Sequence, residues 1–106
     1  MRIVGTVVEE TSGKPLAGLQ VRAFDKDLIF DDKLGTAVTD EAGKFRMDYS
    51  SLDFSLLGGL ETVPELYLRV FDAEGKKLLY TTETAIRKGR LVEERFEIRI
   101  PKAKFG

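Results

Sequence analysis

The 106-residue chain predicts an all-β protein, a seven-stranded antiparallel Greek-key β-sandwich. Two observations lead there. Apolar and polar residues alternate along most of the chain, the period of strands with one face buried. The alternating runs are short, and turn residues punctuate them every eight to twelve positions. A chain of this length buries about 65% of its unfolded surface, enough for one independent core, so residues 1–106 form a single domain.

The strands follow in order. RIVGTVVE (2–9) is the first. LQVRAF (19–24) sets Leu19, Val21 and Ala23 on one face, which sends Phe24 to the other face with Gln20 and Arg22. GTAVT (35–39) is short, and KFRMDY (44–49) aligns Phe45, Met47 and Tyr49. ELYLRVF (65–71) sets Leu66, Leu68 and Val70 inward, leaving Tyr67, Arg69 and Phe71 outward. KLLYTTE (77–83) and RFEIRI (95–100) complete the set, the last aligning Phe96, Ile98 and Ile100.

The connections carry their own chemistry. TSGKPLAG (11–18) places glycine and proline for a bend that restarts into a strand. DEAG (40–43) and DAEG (72–75) share one code, in which the aspartate accepts backbone N–H bonds two residues on. Gly43 and Gly75 then supply the left-handed conformation of a turn with a bulge. A short echo links VRAFD (21–25) to LRVFD (68–72). Five residues are too few for a solenoid repeat, so the echo marks two equivalent strands that each leave the sheet at an aspartate.

Composition excludes several functions. The net charge is -1, too balanced for the electrostatic footprint of a nucleic-acid binder, and Arg87, Lys88 and Arg90 form only a short solvated cluster. No cysteine is present, so neither disulfides nor thiolate metal sites can form. No run is apolar enough for a signal peptide or a transmembrane helix, which makes a cytoplasmic location the default expectation. With no histidine either, Ser-His-Asp and Cys-His catalysis and most transition-metal sites are out of reach, and the chain is expected not to be an enzyme. LGGLE (57–61) lacks the lysine and hydroxyl of a phosphate-binding loop.

GTVVEETSGKPLAGLQVRAFD, followed by LGTAVTDEAGKFRM, resembles the carboxypeptidase regulatory-like domains of the transthyretin-like (prealbumin-like) β-sandwich superfamily. The likeness rests on Gly5, Val7, Gly13, Pro15, Leu16, Gly18, Val21, Thr39, Asp40, Gly43 and Phe45. It covers about the first half of the chain and implies a fold more than an activity, since function resides in sites grafted on folds. It implies a non-catalytic folding, spacer or interaction module without a cofactor. Enzymatic relatives in the superfamily use histidines, and a hydrolase branch ends in Tyr-Arg-Gly-Ser; this chain has no histidine and ends in KAKFG.

One stretch invites a metal. FDKDLIFDDKLG (24–35) holds Asp25, Asp27, Asp31 and Asp32. An EF-hand fails, because Phe30 stands where glycine is needed and Thr36 where glutamate is needed. The stretch is closer to the loops of calcium-dependent membrane-binding sandwiches of the synaptotagmin type, which it resembles in its Asp-x-Asp, spacer and Asp. Calcium takes six to eight oxygens, so another loop would have to contribute, and Asp40 and Asp72 are already assigned to turns. Two readings follow: a solvated loop tucking Leu28, Ile29, Phe30 and Leu34 under the sandwich or, as the alternative, a calcium-dependent binding domain.

The segment SSLDFSLLGGLETVP (50–64) is more apolar than a surface loop needs, with Phe54, Leu56 and Leu57 at its centre. It is expected to cover the outward Phe24 and Phe71, or to form a self-association surface with them. The expected partner is therefore another protein or a second copy of the chain.

Overall fold

The computed structural model describes residues 2–26, 32–48, 65–88 and 93–105. They form eight strands: β1 (Arg2–Glu9), β2 (Gln20–Asp25), β3 (Asp32–Val38), β4 (Lys44–Asp48), β5 (Glu65–Phe71), β6 (Leu78–Thr81), the two-residue β7 (Arg87–Lys88) and β8 (Glu93–Ile100). One sheet has the order β4-β1-β8. The other has the order β3-β2-β5-β6, with β7 also pairing β5. No α-helix occurs among the described residues, and none of them forms a helix long and apolar enough to cross a membrane.

The two sheets enclose one core. Ile3, Val7, Phe45, Met47, Phe96, Ile98 and Ile100 enter it from the three-stranded sheet. Val21, Ala23, Leu66, Leu68, Val70 and Leu79 enter from the five-stranded sheet, and Leu16, Leu19 and Leu34 pack against its margin. Val21, Ala23, Phe45, Met47, Leu66, Leu68, Val70, Phe96, Ile98 and Ile100 are inward positions that alternation assigns, and Ile3, Val7 and Leu79 join them. Their removal from water is the main stabilising term. Gly5 is part of this packing: a Cβ there would lie 2.5 Å from both the Phe45 ring and the Phe96 carbonyl.

The expectation of a wholly antiparallel fold is corrected at one pairing. β1 and β8 run parallel in unbroken register from Arg2 opposite Glu93 to Glu9 opposite Ile100, which makes the three-stranded sheet mixed. β4 holds one edge of β1 antiparallel, and β8 arrives from the other sheet to take the free edge. Several strand ends also move: β3 begins at Asp32, β6 is confined to Leu78–Thr81, and β8 begins at Glu93. Arg87 and Lys88, read from the sequence only as part of a short solvated cluster, form β7 against Glu65 and Leu66.

Both Asp-x-x-Gly turns are capped by their aspartates, Asp40 two residues on as expected and Asp72 four residues on instead. Asp40 Oδ1 accepts from the N–H groups of Ala42 at 2.9 Å and Lys44 at 2.8 Å. Asp72 Oδ1 accepts from Lys76 N–H at 2.8 Å. Gly43 and Gly75 both have φ of 73°, in the left-handed region. Their uses differ. The 72–75 turn closes the β5-β6 hairpin, whereas the 40–43 turn carries the chain from β3 in one sheet to β4 in the other. Thr39 sits just before that crossing, almost fully buried, and its hydroxyl donates to Leu16 C=O at 2.6 Å while accepting from Leu19 N–H at 3.0 Å.

Candidate interaction face

The outer surface of the five-stranded sheet is built around the echoed motif. β2 and β5 are antiparallel neighbours, with Arg22 directly opposite Arg69 and Phe24 opposite Tyr67. Two like charges at one cross-strand position destabilise a sheet. Here the guanidiniums part. Arg22 lies 4.0 Å over the Phe71 ring, and Arg69 lies 5.2 Å over the Phe24 ring. Each arginine thus covers the aromatic that follows the other arginine by two residues, a crossed pair of cation–π contacts. Phe24 and Tyr67 also stack, with ring centroids 5.2 Å apart and planes 16° apart.

Polar contacts fix both arginines. Arg22 Nη2 donates to Gln20 Oε1 at 3.0 Å and to Gly75 C=O at 3.1 Å, and Gln20 Nε2 donates to Ala73 C=O at 3.2 Å. The β5-β6 turn is therefore tied to the face of β2. Arg69 Nη2 donates to Glu83 Oε1 at 3.0 Å, while Lys26 Nζ donates to Glu83 Oε2 at 2.9 Å. Lys26, then Arg69, holds the Glu83 carboxyl below the usual glutamate range. Tyr67, although on the outer face, is fully buried. Phe24 and Phe71 are half-buried, as outward residues partly covered by their neighbours.

Of the four candidate metal ligands, Asp25 does structural work: its Oδ1 accepts from Glu65 N–H at 2.9 Å, joining the end of β2 to the start of β5. Asp27 and Asp31 lie outside the described residues. Asp32 begins β3, opposite Asp25 in the ladder, and its side chain lies outside the description. No group of three or more possible metal-ligating side chains occurs among the described residues. Phe54, Leu56 and Leu57 also lie outside them, as does the expected cover from segment 50–63. Sequence reading placed Phe24 and Phe71 correctly on the outer face but missed the two arginines as their partners; the repeated Arg-x-Phe was the available signal.

The outer face of the three-stranded sheet is different in kind. Its cross-strand rows read Asp48–Arg2–Glu93, Arg46–Val4–Arg95 and Lys44–Thr6–Glu97. Arg2 pairs with Asp48 at 3.1 Å and Glu93 at 3.7 Å, and Arg46 pairs with Asp48 at 3.0 Å. Hydrogen bonds from Arg2 and then Arg46 lower the Asp48 pKa. These pairs stand in solvent and each contributes little.

No family model matches the chain, and no curated protein does. Among solved structures, a 9R-lipoxygenase from Cyanothece PCC8801 is similar over 92% of this chain, with TM-score 0.65 and 22% identity. This chain covers 16% of that one. The likeness is one of fold alone.

Proposed function

We propose that the chain is a non-catalytic module of the transthyretin-like, carboxypeptidase regulatory-like kind, a Greek-key sandwich that serves assembly or spacing through protein–protein contact. The observation that carries this reading is the Arg22–Phe71 and Arg69–Phe24 face. Arginine and aromatic residues are the types enriched where protein surfaces meet and in their energetic centres. The face is also prearranged, because Gln20, Gly75 and Glu83 hold the guanidiniums in place, so docking orders few side chains. The motif residues of the resemblance support the structural half of the reading: Gly5, Gly43 and Thr39 all serve packing or turns. A fold of this shape also occurs as a small part of a much longer chain, as the 16% coverage shows for the lipoxygenase.

Arginine-selective chemical footprinting tests the reading. Arg22 and Arg69 should be less reactive in the cell than in the purified chain, with Arg46, on β4 of the other sheet, as the internal reference. Equal reactivity in both settings overturns the face as a docking surface. The calcium alternative is tested by melting the protein in millimolar calcium. A ligand bound only by the native state adds about 2.7 kcal/mol at a hundredfold excess over Kd, so a shift of that size would replace the module reading with the metal one.

A further inference from the structure

β8 is an edge strand whose far side no described strand occupies. The direction of its backbone groups follows from its contacts. Ile100 C=O accepts from Glu10 N–H at 3.0 Å, and Phe96 C=O faces Gly5 of β1, so the even-numbered residues bond toward β1. In a parallel pairing the alternate residues then point their N–H and C=O groups the other way. Glu93, Arg95, Glu97 and Arg99 therefore present theirs to the open edge. Arg87 Nη1 reaches one of these groups, the Arg95 carbonyl.

The same four residues carry the outer-face side chains of β8, and their charges alternate in sign along the strand. Edges are guarded against pairing by proline, a bulge, charged side chains or an inward-pointing charge, and of these β8 carries its outer-face charges and the buried, inward-facing Glu94. β8 has no proline, and its register with β1 is unbroken.

We propose that β8 pairs antiparallel with β8 of a second copy, about a two-fold axis at Phe96, to make one continuous sheet across two sandwiches. In that register Glu93 faces the partner subunit's Arg99, and Arg95 faces the partner subunit's Glu97. The axis repeats both contacts, giving four opposite-charge pairs between hydrogen-bonded residues. Register can move only in steps of two if each face is to stay on its own side. One step either way sets Arg95 against the partner subunit's Arg95, or Glu97 against the partner subunit's Glu97, and like charges directly opposite repel. The alternation thus selects one register, and a two-fold contact is the commonest way for identical chains to associate. Arg87 shares or releases the Arg95 carbonyl on pairing, since a carbonyl has two lone pairs. One strand edge covers less than the roughly 1,200 Å² of a standard interface, so the dimer is a weak, reversible one.

This inference rests on the reading of the chain as an interaction module and names its partner as a second copy. Sedimentation equilibrium from about 10 µM to about 1 mM spans the range expected for so small an interface. The mass should rise toward that of two chains. Arg95→Glu or Glu97→Arg alone creates two like-charge contacts across the axis and should weaken association about tenfold or more. The double variant Arg95→Glu/Glu97→Arg restores every opposite pair and should restore the dimer. Glu97→Pro removes an N–H that points to the open edge and should leave a monomer with a native circular dichroism spectrum. A wild-type chain that stays monomeric throughout overturns the proposal, as does a dimer that the single reversals leave intact or the double variant fails to restore. A monomer leaves the module reading standing, because the footprint of Arg22 and Arg69 on the other sheet tests that separately.

Discussion

On the outer face of the three-stranded sheet, Arg46 and Arg95 flank Val4 and end in solvent beside Asp48 and Glu93. On the five-stranded sheet, Arg22 and Arg69 occupy one cross-strand row but lie over Phe71 and Phe24, beside a tyrosine with no exposed surface. The residue type is the same, and its surroundings decide what it does. An exposed guanidinium gains little from an ion pair that water screens, whereas one that covers a ring also shields apolar surface through its stem. The outer face of the larger sheet therefore behaves as a second, smaller core. That of the smaller sheet is a charged surface.

The strongest test substitutes a residue at the centre of each face. Tyr67→Ala should lower unfolding free energy by about 3–5 kcal/mol in urea denaturation, the loss typical of a buried aromatic. Val4→Ala should cost less than about 1 kcal/mol. Similar losses at the two positions would end the distinction between the faces.

Next come the two turns. Gly43→Ala forces an L residue to a φ of 73° and sets its Cβ 2.5 Å from the Val7 carbonyl. A loss of about 2 kcal/mol or more is expected from the combined strain and clash. Gly75 has the same φ, but the atoms nearest its Cβ are the ends of the Arg22 and Gln20 side chains, at 2.6 and 2.7 Å. Those ends can swing away, so Gly75→Ala should cost about 1 kcal/mol, the backbone penalty alone. It should also lift Arg22 from Phe71, detectable as a faster arginine-footprinting rate.

A smaller effect comes from one substitution made on both faces. Arg22→Lys replaces a planar group over a ring with a compact ammonium and should cost about 1 kcal/mol, with little salt dependence. Arg46→Lys should stay within about 0.5 kcal/mol, and any effect should fade in molar salt. A salt-sensitive Arg22 would place it with the exposed ion pairs.

The smallest effect is on pH. Glu83, Asp48, Asp72 and Glu9 all have carboxyl pKa values below their ordinary ones. A carboxyl whose folded-state pKa is depressed stabilises the fold above its unfolded pKa, and that stabilisation is lost as pH falls through the folded value. Melting temperature should therefore be level above about pH 5 and decline below the ordinary 4.5 of glutamate and 3.8 of aspartate. Glu83→Gln should make the acid decline shallower than in the wild type. An unchanged acid limb would show that Lys26 and Arg69 do not hold Glu83 in solution.

What could be read from the sequence was what is local. The Asp40–Gly43 and Asp72–Gly75 turns were legible because their hydrogen bonds close within a few residues. The inward rows Leu66, Leu68, Val70 and Phe96, Ile98, Ile100 were legible because the pleat repeats every two. Alternation tells a face but not a partner, which is why the parallel pairing of β1 with β8 was missed. β7 was missed because two residues carry no period. At the candidate site, the pattern sent Phe24, Tyr67 and Phe71 outward, yet Tyr67 is fully buried. The pattern could not supply the register that sets Arg22 opposite Arg69 and crosses each over the other's phenylalanine. Asp25 was legible as a carboxylate, but its task of accepting from Glu65 N–H depends on a contact forty positions away.

The parallel pairing of β1 and β8 has a mechanical consequence. β1 starts at the end of the sheet where β8 also starts, and β8 finishes beside Glu9, so Arg2 and Ile100 stand at opposite ends of an eight-residue ladder, about 25 Å apart. Tension applied through these two residues draws the strands past one another along their length. It cannot peel them apart one rung at a time. All the rungs share the load together, the geometry in which a hydrogen-bonded ladder resists stretching best. A link drawn taut between two neighbours would meet its stiffest axis.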